Sequence, residues 1–159
     1  MDSLLNLLRT NARLTASELA VMLGVSEGEV NAKIEEYESK GIIKGYTAIF
    51  DENEIDPDTV TALIELTVTP QSQSGFDEIA MEIANYEQVD SVFLMSGTYD
   101  IIVSVKGRNI RDVSHFVSER LAAIDAVTAT TTHFRLKAYK DNGIIIKSDD
   151  ADERGLVSP

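Results

Sequence analysis

Apolar positions along the chain change their spacing near residue 42, from three- and four-residue steps to alternation. Leu4, Leu5, Leu7 and Leu8 open the helical part and predict a first short helix over 4–8. Thr15 stands three residues before Glu18, a capping-box spacing that starts a second helix with Ala16, Leu19, Ala20 and Leu23 on one stripe. Gly24 closes it, and Ser26 with Glu29 repeats the cap to start a third helix. Val30, Ile34 and Tyr37 form the inner stripe of that helix, and Gly41 ends it. Helix, tight glycine turn and helix in this order predict a helix-turn-helix. Ile42–Phe50 then predicts a strand leaving the helical domain.

From residue 60 the pattern predicts βαββαβ. Strand one runs from Val60 to Thr69, with Val60, Ala62, Ile64, Leu66 and Val68 on one face, and Pro70 stops it. A helix carries Phe76, Ile79, Ala80 and Ile83. Two apolar runs, Val92–Met95 and Ile101–Val105, flank the turn Gly97-Thr98-Tyr99-Asp100 as a hairpin. A second helix carries Ile110, Val113, Val117 and Leu121, and a last strand runs from Val127 through Thr130, Thr132, Phe134 and Leu136. Gly143–Lys147 adds a short strand, expected at an edge or exchanged between subunits.

The chain is therefore α+β, a helix-turn-helix domain over 1–50 and a ferredoxin-like domain over 59–147. An acidic linker (51–58) joins them and an acidic tail (148–159) follows. The hairpin strands are apolar on both faces, while helices cover one; the other face calls for a second subunit, hence a homodimer. The sequence does not separate a dimer from an octamer.

Charge and composition narrow the chemistry. The net charge of −13 argues against a general nucleic-acid coat and leaves room for local DNA contact. With no cysteine there are no disulfides and no thiolate chemistry, which suits a cytoplasmic protein. No apolar run reaches the ~20 residues needed to cross a bilayer, and no leader precedes the first helix, so no membrane partner is expected. His115 and His133 lack metal-ligand spacing, His115 instead lying near Glu119 as a surface pair. No phosphate loop, nucleophile elbow or paired carboxylates appear, so the reading is a non-enzyme with no cofactor and no metal.

Opposite its inner stripe the third helix presents Gly28, Ala32 and Ser39, with Asn31 and Glu35 beside them. Small side chains let a helix sit deep in the major groove, Asn31 suits adenine, and Lys33 and Lys44 suit phosphate. Ser26, Gly28, Asn31, Ala32, Lys33 and Lys44 are the candidate DNA contacts. Glu29 serves as a cap, whereas Glu35, Glu36 and Glu38 oppose phosphate or stay solvated. Gly97 is placed to take a positive φ or let another group near the backbone, and Asp100 beside free amides suits a small zwitterion; the plain alternative is a hairpin corner.

From residue 2 to about 147 the chain resembles the Lrp/AsnC (feast/famine) transcriptional regulators. The resemblance is carried by Asp2…Leu4-Leu5…Leu8, Arg13-Leu14-Thr15…Glu18-Leu19-Ala20, Gly24-Val25-Ser26, Gly41–Ala48, Gly97–Asp100 and the Thr-rich last strand. It implies a winged helix-turn-helix reader of operator DNA and a RAM-type sensing domain that dimerises and often builds octamers. It further implies an effector, typically an amino acid, bound between subunits near the turn. On that reading Gly97, Thr98, Tyr99 and Asp100 hold the ligand: Asp100 accepts from its ammonium, amides near Gly97 and Thr98 donate to its carboxylate, and Tyr99 walls its side chain. Thr130 and Thr132 would add hydroxyls, or serve as ordinary strand formers. Where relatives carry arginine along the third helix this chain has Ala32, Glu35 and Glu36. That departure leaves a second reading open, a sensing partner with weak DNA binding that acts through a more basic relative.

Overall fold

The computed structural model describes residues 2–69 and 75–146. It divides into a helical unit that runs to Ile49 and takes in Asp141–Ile144, and a sheet unit that runs from Phe50 to Lys140 and resumes at Ile145.

Three capped helices build the helical unit. Asp2 caps α1 (Ser3–Thr10), its Oδ1 accepting from the Leu4 N–H at 2.8 Å. Both capping boxes form: Thr15 opens α2 (Ala16–Leu23), and Ser26 opens α3 (Glu27–Ser39). Gly24 takes φ 69° at the end of α2, a backbone that L side chains rarely adopt, and so sets the sharp α2–α3 turn. Leu4, Leu19, Ala20, Val30 and Tyr37 form the buried centre, with Ala16, Leu23 and Ile34 packed at its edge.

Beyond α3 the expected strand is absent. The N–H groups of Ile42 and Ile43 both donate to the Tyr37 carbonyl, and residues 43–50 run on without a ladder partner. Alternation supplies a two-faced segment, yet a strand also needs a neighbouring backbone to bond. Ile42, Tyr46 and Phe50 consequently stand exposed.

In the sheet unit, α4 (Glu52–Ile55) makes a single turn of the expected linker. That turn is tied down: Glu52 pairs with Lys106 at 3.2 Å, and Asp56 accepts from the Thr59 hydroxyl at 2.7 Å. The sheet follows as β1 (Val60–Val68), β2 (Val89–Leu94), β3 (Ile101–Gly107) and β4 (Val127–Phe134), antiparallel in the order β2-β3-β1-β4. Between them come α5 (Gly75–Ala84) and α6 (Ile110–Phe116), which continues as a π-helical turn over Val117–Leu121. Ala62, Ile64, Leu66, Ile101, Val103 and Val105 face these helices and are fully buried against Ile83, Val113 and Leu121.

Several expectations fail for local reasons. Ile110 is 57% exposed, because α6 begins there and its inner stripe starts at Val113. Phe116 takes the remaining inner place, edge-on to Tyr86 at 5.5 Å. Leu136 lies past the end of β4 and is 95% exposed. The last short strand, β6 (Ile144–Ile145), pairs with β5 (Lys140–Asp141) and not with the main sheet. Asn142 and Gly143 between them have φ of 41° and 89°, the positive values of a two-residue hairpin turn. The expectations at Pro70, Lys147 and the acidic tail fall outside the described residues.

The caps generate a stability prediction. Ser26→Ala removes the hydroxyl that accepts from the Glu29 N–H and should cost about 1 kcal/mol in urea unfolding. Glu29 is held below its ordinary 4.5, chiefly by the Ser26 N–H and then by its hydroxyl. Its contribution is thus complete above that value and fades as pH falls below it. Wild type should lose urea resistance on acidification more steeply than Ser26→Ala; equal slopes would contradict the role given to the box.

Candidate functional site

The outer face of α3 is open as expected: Gly28, Asn31, Ala32, Glu35 and Ser39 are all exposed. Its charges are arranged differently from the expectation. The Lys33 ammonium sits 2.8 Å from Glu36 and 5.1 Å from the centre of the Tyr37 ring, and Lys40 reaches the other Glu36 oxygen at 2.6 Å. The Lys33 and Lys40 ammonium groups hold the Glu36 carboxyl far below its usual range, at about 2. Lys33 is therefore engaged within its own helix. Glu38 accepts from the Tyr46 hydroxyl at 2.9 Å, and Glu29 is spent on its cap. The Ser26 hydroxyl likewise belongs to the cap, donating to Glu29 at 2.7 Å. Lys44 keeps no acidic partner among the described residues; its ammonium folds back toward Gly41, whose φ is 65°. Arg9, in the last turn of α1, and Arg13 are also exposed and without acidic partners there.

The second site forms where β2 and β3 meet. The Met95 N–H donates to the Asp100 carbonyl at 2.7 Å and closes a loop over Ser96–Tyr99. Asp100 then turns back onto β1: its N–H donates to the Leu66 carbonyl at 3.0 Å, and its Oδ2 accepts from the Val68 N–H at 2.8 Å. That contact falls where β1 shifts register against β4, between Thr67 and Val68. Among the described residues the N–H groups of Ser96, Gly97, Thr98 and Tyr99 find no acceptor, and neither does Asp100 Oδ1 find a donor. Gly97 and Thr98 are exposed, while Tyr99 and Asp100 are half-buried. Gly97 does not use a positive φ, and a Cβ added there meets nothing within 4 Å; open space is what the glycine provides.

Thr130 and Thr132 do not join this loop. They stand opposite Leu66 and Ile64, on the helix-covered face, whereas Asp100 precedes the inward-facing Ile101 by one residue and so lies toward the open face. The open face instead carries Thr131 and His133 from β4, with His133 Nε2 3.1 Å from Glu65. Leu63 and Phe93 are exposed on the same face at 42% and 60%. His115 pairs with Glu119 at 3.0 Å on the surface. Among the described residues no helix is long and apolar enough to cross a membrane.

Both modules match known ones. A family model described as the Lrp/AsnC ligand binding domain covers residues 61–145, and one described as winged helix-turn-helix DNA-binding covers 3–44. The uncharacterised HTH-type transcriptional regulator YugG of Bacillus subtilis is 41% identical over 157 residues, 98% of this chain and 95% of that protein. The HTH-type transcriptional regulator LysM of Saccharolobus solfataricus is 33% identical over 86% of this chain and 91% of its own. A transcriptional regulator of Neisseria meningitidis, solved as a complex with L-Met, shares the fold with a TM-score of 0.71 at 23% identity, covering 89% of this chain and 93% of that one. The chain belongs to the Lrp/AsnC family and is a DNA-binding transcriptional regulator with a ligand-binding domain.

Proposed function

We propose that this regulator senses an amino acid at the Ser96–Asp100 loop and acts as a homodimer joined through the open sheet face. The observation that carries the reading is the juxtaposition, among the described residues, of four amides without acceptors and an Asp100 oxygen without a donor. Amides suit a carboxylate and Asp100 suits an ammonium, so the loop matches the two ends of an α-amino acid. The fold neighbour solved with L-Met gives the same ligand class. Thr131 and His133 replace Thr130 and Thr132 as the β4 side chains on the open face.

On the DNA side, Gly28, Asn31 and Ala32 enter the major groove while Lys44 holds phosphate. Glu35, exposed on the same face, suits the amino group of cytosine. Asp100 is bonded to the end of β1, so a ligand that draws on its carboxylate biases the positions of Leu66 and Val68. This coupling lets the ligand favour one dimer geometry, and with it one operator affinity. The Glu36 clamp on Lys33 and Lys40 also motivates a second reading, in which the protein grips DNA weakly and works with a more basic relative.

Three outcomes test these assignments. Asp100→Asn keeps an oxygen for the Val68 N–H and removes the charge, so it should weaken amino-acid binding at least about tenfold by calorimetry, about 1.4 kcal/mol. Asp100→Ala should also lower the unfolding temperature; unchanged affinity in both variants removes Asp100 from the site. Glu36→Gln releases two lysines and should tighten binding to the chain's own promoter fragment, steepening the salt dependence by up to about two units of log–log slope. An unchanged slope in fluorescence anisotropy would refute the clamp, and no binding by either protein at low salt would favour the partner reading. Phe93→Asp should leave a monomer in analytical ultracentrifugation, whereas a persisting dimer would place the subunit contact elsewhere.

A further inference from the structure

We infer that the sheet unit holds a second ligand site, a cleft for a small organic oxyanion at the opposite end of β3 from the Ser96–Asp100 loop. β3 has seven residues, which puts about 20 Å between the two places. The cleft encloses about 600 Å³ between the end of β3, α6, the π-helical turn and Gln88. Val105, Val113 and Phe116 supply an apolar floor, and Arg111 and Arg120 line the cleft with them.

Three features make this a site and not only a dent in the surface. The first is close backbone approach. A Cβ on Gly107 would lie 2.8 Å from Val113 Cγ2 and 3.4 Å from the Val113 nitrogen, so only glycine lets α6 seat this near the strand end. The second is unspent charge. Asp112 is held by Arg108 at 2.8 Å, Glu119 lies 3.0 Å from His115 Nδ1, and Lys106 is divided between Glu52 and Asp90 at 3.2 Å each. Arg111 and Arg120 keep no acidic partner among the described residues, in a chain with 27 carboxylates and only 14 lysines and arginines. The third is shape. A cleft of this volume takes one small molecule, and two guanidiniums lining it together with Val105, Val113 and Phe116 suit an oxyanion attached to an apolar body.

The shared chemistry is a carboxylate or phosphate monoester on an aryl or branched alkyl group. A neutral amino acid, whose ammonium would meet the guanidiniums, is the wrong ligand here; the cleft thus answers to a different class of molecule from the loop. A regulator with both sites reads two metabolite signals on one sheet.

The test is calorimetry of the full chain with phenyl phosphate, benzoate, inorganic phosphate and benzyl alcohol. Phenyl phosphate or benzoate should bind at one site per chain, inorganic phosphate more weakly, and benzyl alcohol not measurably. The tighter of the first two identifies the source, phosphate ester or carboxylate. Amide NMR shifts should centre on Gly107–Arg120 and leave Ser96–Asp100 in place. Arg111→Gln with Arg120→Gln, both exposed and so expected to spare the unfolding temperature, should weaken binding at least tenfold. The inference is overturned if no probe binds, if benzyl alcohol binds equally well, if the double variant binds as wild type does, or if the shifts map to the loop.

Discussion

One residue joins the ends of three strands. Asp100 receives the Met95 N–H on its carbonyl, gives its own N–H to Leu66 and takes the Val68 N–H on its carboxylate. These bonds fix where β2 turns into β3 and hold the end of β1 at the point where its register slips. Within a loop closed this way, the N–H groups of Ser96–Tyr99 have no acceptor among the described residues. An N–H without a partner is tolerated where water reaches it, and any ligand that replaces that water must bring an acceptor. The strand junction and the proposed ligand site are thus the same arrangement seen from two sides.

The helical unit solves a separate electrostatic problem. In a chain with net charge −13, the helix proposed to meet DNA carries five glutamates and one lysine. Position decides which of those charges matter, because exposed charges are screened within about 10 Å at ordinary salt. Glu29 is drawn into the cap, Glu36 is neutralised by two ammonium groups, and Glu38 meets Tyr46. The outermost ridge then holds Gly28, Asn31, Ala32 and Glu35, mostly small or neutral. On the proposed reading, binding of this kind is weak per helix and relies on a second copy of the chain.

Much of this was legible in the residues. The paired Thr15–Glu18 and Ser26–Glu29 spacings located both helix starts, because a capping box is a local bond network needing nothing from the rest of the chain. Alternation placed Ala62, Ile64 and Leu66 on the buried face. What could not be read was anything set by a partner strand. Ile42–Phe50 alternates yet lacks a neighbour among the described residues, and Ile144–Ile145 pairs with Lys140–Asp141 across a two-residue turn in place of the sheet edge. The Asn142-Gly143 pair was the available signal for that turn. Thr130 and Thr132 were set beside Asp100 because strand register, with its slip at Thr67 and Val68, is invisible to a period of two. The acidic linker gave no hint of its Lys106 anchor, which lies 54 residues away.

The most direct test of the central claim is residue-resolved amide hydrogen exchange of the full chain with and without a saturating amino-acid pool. Binding at the loop predicts slower exchange at Ser96, Gly97, Thr98 and Tyr99, the amides that lack acceptors among the described residues, together with a smaller change at Val68. Unchanged exchange at these five positions, with protection appearing elsewhere in a protein that binds the pool, would contradict it.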